Sequence, residues 1–271
     1  MHQQFKGVFS GLLLSLLGAG GALAQGTAGV SAFGPGEQAS YRVHYLGMTA
    51  GSAQVTVGAP MRQWGKDVWP IVSLAKSDAV AGVWPVKDKY VTYWDFNSQR
   101  VLGSDMHEDQ NNKRRRVRVK LNDDGRSAQV VKQKEGEAPT EKNLEVLEGA
   151  LDVTGATFAL RNRALEVGQE YTYPVFTGSK SFVMKAKVEA KETLTTAQGR
   201  QEVLRLRVYT EFSGNLASKR DMVAWLTADA RHLPVRIEAE LAVGSVVAEL
   251  QGYQQGKVVT PAPAVTAKNG I

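Results

Sequence analysis

Arg116-Val117-Arg118-Val119-Lys120-Leu121-Asn122-Asp123-Asp124-Gly125-Arg126-Ser127-Ala128-Gln129-Val130-Val131 is the stretch that decides the fold. From Arg116 the side chains alternate, so Arg116, Arg118 and Lys120 share one face of a strand while Val117, Val119 and Leu121 share the other. Asn122-Asp123-Asp124-Gly125 then supplies the positive φ that a tight reversal needs, and alternation resumes at Ser127. Two alternating runs joined by such a turn form an antiparallel hairpin with one buried face.

The same period of two recurs outward in both directions, at 41–46, 52–57, 69–75, 170–176, 182–190, 202–212, 222–226, 234–241 and 245–250. Val243-Gly244 marks a second tight turn, between the last two of these runs. Sequential hairpins imply one antiparallel sheet. Two stretches depart from the pattern. Asp152 is placed to cap a helix over 152–162, with Val153, Ala156, Leu160 and Leu165 near a helical period. Val86, Tyr90, Tyr93 and Trp94 fall at i, i+4, i+7 and i+8, which predicts a second helix over 86–96, although their aromatic and β-branched character also allows a strand. No internal repeat of fixed period is found.

Residues 1–24 read as a secretory signal: Lys6 charges a short n-region, 8–17 is apolar, and Ala22-Leu23-Ala24 is a small-residue cleavage site before Gln25. Residues 25–36, mostly Gly, Ala, Ser and Thr, are expected to be a flexible leader, 37–253 a single β-rich domain, and 254–271, with Thr260-Pro261-Ala262-Pro263, a disordered tail. The chain has no cysteine. Stability must therefore come from packing and sheet hydrogen bonds, in a compartment that would permit disulfides. The expected location is the periplasm of a Gram-negative bacterium, with no membrane-spanning segment in the mature chain. A net charge of +6 from 33 basic and 27 acidic residues is a mild bias that favours anionic envelope partners and does not mark nucleic acid as one.

Candidate chemistry is sparse. Ser73-Leu74-Ala75-Lys76 has the S-x-x-K spacing of penicillin-recognising enzymes, but in a strand Ser73 and Lys76 face opposite sides. His107-Glu108-Asp109, with Asp105, offers metal-ligating types in succession, yet neighbouring side chains diverge, so a solvated turn is expected. The run Lys113 to Lys120 presents Arg116, Arg118 and Lys120 as a basic surface strand, able to attract an anionic headgroup. Trp64, Trp69, Trp84 and Trp94, four of the five tryptophans, crowd one window beside Tyr90, Tyr93 and Phe96. Such a cluster is either core or the lining of an apolar pocket under a movable lid at 80–86.

The segment Gly36-Glu37-Gln38-Ala39-Ser40-Tyr41-Arg42-Val43-His44-Tyr45-Leu46-Gly47-Met48-Thr49-Ala50-Gly51-Ser52-Ala53 resembles the opening of the bacterial exported family known as DUF3108. Asp152-Val153-Thr154-Gly155-Ala156-Thr157-Phe158-Ala159-Leu160-Arg161 resembles its central helix, with Gly155 where the family usually has Ser and Ala159 where it has an aromatic. Trp225-Leu226 and Leu233-Pro234-Val235-Arg236-Ile237 resemble its penultimate hairpin. The two departures predict looser packing of the helix. The resemblance implies an α+β protein with a curved antiparallel sheet akin to the half-barrels of the lipoprotein carriers LolA and LolB and the sensor RseB. It implies no catalytic residues. In the motifs, Gly47 and Gly51 would permit a tight hairpin, and Tyr41, Val43 and Tyr45 would face a core.

These readings converge on an α+β fold: a highly curved antiparallel sheet, a half-barrel or closed barrel, with two helical segments packed on its concave face. The expected function is non-enzymatic binding or transport of an apolar or amphiphilic ligand, a lipid or lipoprotein acyl chain, in envelope maintenance. Trp84, Tyr90, Trp94 and Phe158 would bury the chain at about 0.8 kcal/mol per CH₂, without metal or cofactor. The rival is an envelope interaction module with an outer-membrane or periplasmic protein as partner; a hydrolase is the weakest alternative. An open pocket lined by those aromatics would favour the carrier, and a filled interior the module.

Overall fold

The computed structural model describes residues 30–77, 85–111, 113–211, 222–241 and 244–259; the signal reading at 1–24, Trp84 and most of the 80–86 stretch lie outside them. In chain order the elements are β1 (Gln38–Tyr45), β2 (Met48–Val57), β3 (Met61–Gln63), β4 (Lys66–Ser77), β5 (Val86–Asp95), β6 (Arg100–Gln110), β7 (Lys113–Leu121), β8 (Ser127–Lys134) and β9 (Thr140–Glu145). Then come α1 (Val153–Arg161), β10 (Glu170–Phe176), β11 (Ser181–Thr196), β12 (Gly199–Glu211), β13 (Met222–Thr227), β14 (Pro234–Glu240) and β15 (Ser245–Gln254). All strand pairs are antiparallel, in the spatial order β10-β11-β12-β13-β14-β15-β1-β2-β4-β5-β6-β7-β8-β9, with β3 hydrogen-bonded to β4 at the side. The first and last strands meet in the middle of the sheet, Gln38 opposite Gln254.

The sheet is open and rolls past closure. β9 and β10 do not pair; instead Leu151, beyond β9, makes a lone parallel bridge to Val175 of β10. Phe176 at the end of β10 packs with Val117, Val119, Ala128 and Val130, the inward residues of β7 and β8. A Cβ on Gly178 in the following turn would lie 3.0 and 3.1 Å from Val117 and Val119. One edge of the sheet is thus tucked beneath the other. Pro174 within β10 suits this protected edge, because it has no N–H to leave unpaired.

The interior of the roll is filled by α1. Val153, Thr154, Gly155, Ala156, Phe158, Leu160 and Arg161 are all buried, so the helix is covered on every side. The outer face is charged and largely paired: Glu189 holds Arg207 at 2.7 Å, Arg236 holds Glu249 at 2.8 Å, and Trp225 donates to Glu192 at 2.5 Å. This is the reverse of a lipid-spanning barrel, whose outside carries an apolar band.

Three expectations are corrected. The second helix, over 86–96, is strand β5, whose burial alternates from Val86 onward. A spacing of four is also a multiple of two, so Val86, Tyr90 and Trp94 share one face of a strand as readily as of a helix. The turn expected at His107-Glu108-Asp109 is instead the C-terminal part of strand β6. The body also begins earlier than residue 37 and ends later than 253. Ser31 donates to Val259 O (3.2 Å), Lys257 N to Pro35 O (2.9 Å), and Phe33 is 3 % exposed. One aromatic among small residues anchors the leader, which composition averages away.

The Leu46-Gly47 reversal between β1 and β2 has both φ positive, 50° and 78°. Gly51, in contrast, lies within β2, where a Cβ would sit 2.2 Å from Lys76 O. Its role is close approach of β4 and not the turn.

Candidate functional site

The two ends of α1 are where buried polar chemistry concentrates. At the first end Asp152, 4 % exposed, caps the helix: Oδ1 accepts from Gly155 N–H at 2.6 Å and Oδ2 from the Thr92 hydroxyl at 2.8 Å. Tyr90 hydrogen-bonds the same carboxyl. Burial pushes Asp152 up to about 6, against the opposing pull of those hydrogen bonds. The side chains of Tyr90, Thr92 and Trp94, at alternate positions of β5, face it or pack beside it on the inner face.

At the other end Arg161 and Glu37, both nearly inaccessible, form a two-pronged pair: Nη1 to Oε1 at 2.7 Å and Nη2 to Oε2 at 3.0 Å. Arg161 also donates from Nε to Arg231 O (3.0 Å) and from Nη2 to Ala32 O (3.3 Å), so its fork is satisfied. Its guanidinium carbon lies 4.9 Å from the Phe158 ring centre and 5.5 Å from that of Phe33. Tyr253 donates to Glu37 Oε2 at 3.1 Å, and burial together with the Glu37 charge pushes its hydroxyl up to about 12. Asn162, the C-cap, accepts from Ala32 N–H at 2.9 Å.

Between α1 and the inner faces of β1, β2, β4, β14 and β15 lies a cleft of about 60 Å³. Val55, Ser73, Thr157, Phe158, Ile237 and Ala248 line it, with the Glu37–Arg161 pair at its border. Of the predicted ligand-binding residues that are described, Tyr90, Trp94 and Phe158, only Phe158 lines this cleft. Trp94 is fully buried, 5.9 Å ring to ring from Phe33, and Tyr90 is 9 % exposed beside the helix N-terminus. Phe33 is the hub that sequence reasoning missed: Trp69, Trp94 and Phe158 all meet its ring edge to face, Phe158 at 4.6 Å. Glu37 was read only as part of a motif; its burial against Arg161, 124 residues away, leaves no local signal.

The arginines of the basic strand are paired with acids of its neighbour. Asp105 on β6 takes Arg116 through both oxygens, one contact at 2.9 Å, and Arg118 at 3.6 Å. Burial raises Asp105, but the Arg116 hydrogen bond and charge outweigh it, holding the carboxyl below its ordinary range. Arg115 meets Glu108 at 2.5 Å and Arg114 meets Asp109 at 3.4 Å. Lys120 stands opposite Gly103, over which the Trp64 ring is laid. The acids of 105–109 are thus ion-pair partners of β7, and among the described residues no three His, Cys, Asp or Glu groups converge to hold a metal.

One other carboxyl is raised. Asp88, on the inner face of β5, is pushed up to about 6 by burial, while accepting from Gln110 Nε2 (2.7 Å) and Asp109 N–H (3.0 Å). Ser73 faces the cleft and Lys76 is exposed on the opposite face, so the S-x-x-K spacing assembles no nucleophile and base.

Comparison with known proteins follows the same outline. The family model described as Protein of unknown function (DUF3108) matches residues 40–251. A search of curated proteins finds no match. Among solved structures, the chain shares its fold with a beta-barrel-like protein of domain of unknown function DUF1849 from Brucella abortus. That match has 11 % identity and a TM-score of 0.54, and covers 84 % of this chain and 100 % of that one. Weaker matches are a candidate lipoprotein from Parabacteroides distasonis (9 % identity, 83 % and 99 % coverage, TM-score 0.37) and a candidate exported protein of YmcC-like fold from Bacteroides fragilis (10 %, 82 % and 99 %, 0.32).

Proposed function

Since the chain belongs to the DUF3108 family, whose function is unknown, we propose its role from its own geometry: a non-enzymatic, exported protein of the bacterial envelope that acts by surface contact. The observation that carries this reading is the filling of the roll by α1. The cleft beside it among the described residues, about 60 Å³, compares with roughly 300–1,000 Å³ for pockets that enclose drug-sized ligands. Among those residues, that volume suits a few waters better than an acyl chain. Tyr90 and Trp94 serve as packing around the helix. Export is inferred from the leader-like composition of 1–24. The non-enzymatic reading is supported by the state of the two raised carboxyls, Asp88 and Asp152, each engaged in hydrogen bonds inside the roll.

A second reading keeps the interior as a ligand site. The apolar lining of the cleft by Val55, Phe158, Ile237 and Ala248 favours it, with an acyl end entering as α1 shifts. Native mass spectrometry with lipid extraction on the protein purified from a periplasm decides between them. The contact reading predicts a clean apo mass and no uptake of added phospholipid. Co-purifying lipid that disappears in a folded Phe158→Ala variant would establish the carrier instead.

A further inference from the structure

The outer face of β1, β2, β4 and β5 gathers four cations in neighbouring rows. Arg42, Lys76, Lys87 and Lys89 point outward and are exposed, and among the described residues none of the four has an ion-pair partner. They are neighbours by register: Arg42 opposes Ser52, Ser52 opposes Lys76, and Lys76 opposes Lys87. In the adjacent row Leu74, 42 % exposed, opposes Lys89, which opposes His107. The nearest acids are already engaged: Asp105 by Arg116, Asp109 by Arg114, and Glu249, opposite Arg42, by Arg236. The arginines of β7 are answered by carboxylates, whereas these four cations are not.

At the end of the same strands stands the Leu46-Gly47 turn. Leu46 and Met48 are 51 % and 47 % exposed. Leu46 has φ 50°, in a two-residue turn that favours Asn-Gly and disfavours a bulky side chain. Part of Leu46 rests on Gly244, where a Cβ would meet it at 2.1 Å, yet half of it faces outward. Backbone preference and water both disfavour leucine here. From Met48 to Ser52, in the row of Arg42 and Lys76, is four residues, about 13 Å along β2. That distance suits a tip entering a bilayer interface by roughly 5–10 Å while extended lysines meet the headgroups.

We propose that this face docks on an anionic phospholipid bilayer, with Leu46 and Met48 entering the interface and Arg42, Lys76, Lys87 and Lys89 contacting the phosphates. The proposal deepens the contact reading and rests on it. It also moves the lipid-facing surface from β7, where the basic run draws the eye, to strands whose cations are scattered through the sequence.

The test is cosedimentation of the full chain with vesicles of phosphatidylcholine containing phosphatidylglycerol, against phosphatidylcholine alone. Binding should require phosphatidylglycerol and weaken with salt. At about fivefold per surface cation it should fall roughly 100-fold in Lys76→Gln/Lys87→Gln/Lys89→Gln. Leu46→Asn should lower binding several-fold while melting higher than the parent, which separates loss of contact from loss of fold. Arg116→Gln/Arg118→Gln should bind as the parent does. No binding to either vesicle, equal binding to both, or indifference to the triple variant overturns the proposal. So does retention on immobilised polyglutamate without vesicle binding, which would name an acidic protein as partner. Native mass spectra separate the two failures: an empty protein that ignores vesicles sinks only the membrane surface, whereas lipid carried equally by parent and triple variant sinks the contact reading.

Discussion

The two ends of α1 solve one problem by opposite means. Both place an ionisable side chain inside the roll, where leaving charge unanswered is costly. At the C-terminal end the answer is a partner: Glu37 faces Arg161 through two hydrogen bonds, and two carbonyls accept from two further donors. At the N-terminal end no cation is supplied. Asp152 receives only a backbone N–H and the hydroxyls of Thr92 and Tyr90, and its carboxyl rises to about 6. One end answers its charge with an opposite charge, while dipoles alone leave the other end's carboxyl raised and responsive to pH.

Breaking the ion pair should have the largest effect. Arg161→Leu leaves Glu37 buried and unanswered, and should cost about 3–5 kcal/mol in denaturant unfolding. Adding Glu37→Leu should return the larger part of that loss; if the double variant is as unstable as the single one, the pair is not what holds this end. The Asp152 end is probed by pH. Its folded carboxyl titrates above its unfolded value, so its contribution is fully present below about pH 4 and is lost as pH rises through about 6. Over that window the parent should lose about 2–3 kcal/mol relative to Asp152→Asn, which keeps the cap without the titration. Parallel stability curves for the two proteins would refute a raised Asp152.

Two smaller substitutions sharpen the contrast. Gly155→Ser, which installs the residue usual in the family, places a Cβ 2.2 Å from Val101 Cγ2 and should cost about 1–3 kcal/mol. Val101→Ala should relieve it. The departure from the family pattern therefore marks a helix packed closely on β6, the opposite of the looser packing the sequence predicts. Smallest is Thr92→Val, which removes one donor to Asp152. It should cost about 1 kcal/mol at pH 7, where the carboxylate is ionised, and less at pH 4. Equal losses at both pH values would mean that Thr92 packs without tuning the acid.

Much of the sheet was legible because its inward residues are apolar. β10 is read to the residue, and β7, β8, β13, β14 and β15 within a few positions, from alternation against polar outward faces. The strands that escaped lack that contrast. β6 turns Ser104 and Glu108 inward and carries Gly103, since it faces the polar surroundings of Asp88 and Asp152. β9 is exposed on nearly its whole length and has no buried face to betray it. β5 was misread because its aromatic spacing fits both periods. The helix was legible through its cap: Asp152 accepts the Gly155 N–H and Asn162 closes the other end, as the pattern predicts. The site was not. Phe33, Glu37 and the unpaired cations of β1, β4 and β5 come together only through register and long-range closure, which no local window contains.

The pairing of β1 with β15 also governs the order in which the molecule can form. Every other join in the main ladder links strands that follow one another along the chain, save that the short β3 lies between β2 and β4. Residues 38–145 and 170–254 can therefore each fold as a meander through local closures. The seam between Gln38 and Gln254 must close a loop spanning almost the entire chain, a slow step because the entropy of closure precedes any return from contact. Until that seam zips, β1 has an open flank. The last described strand completes the first, and the kinetic vulnerability of this protein lies at the centre of its sheet.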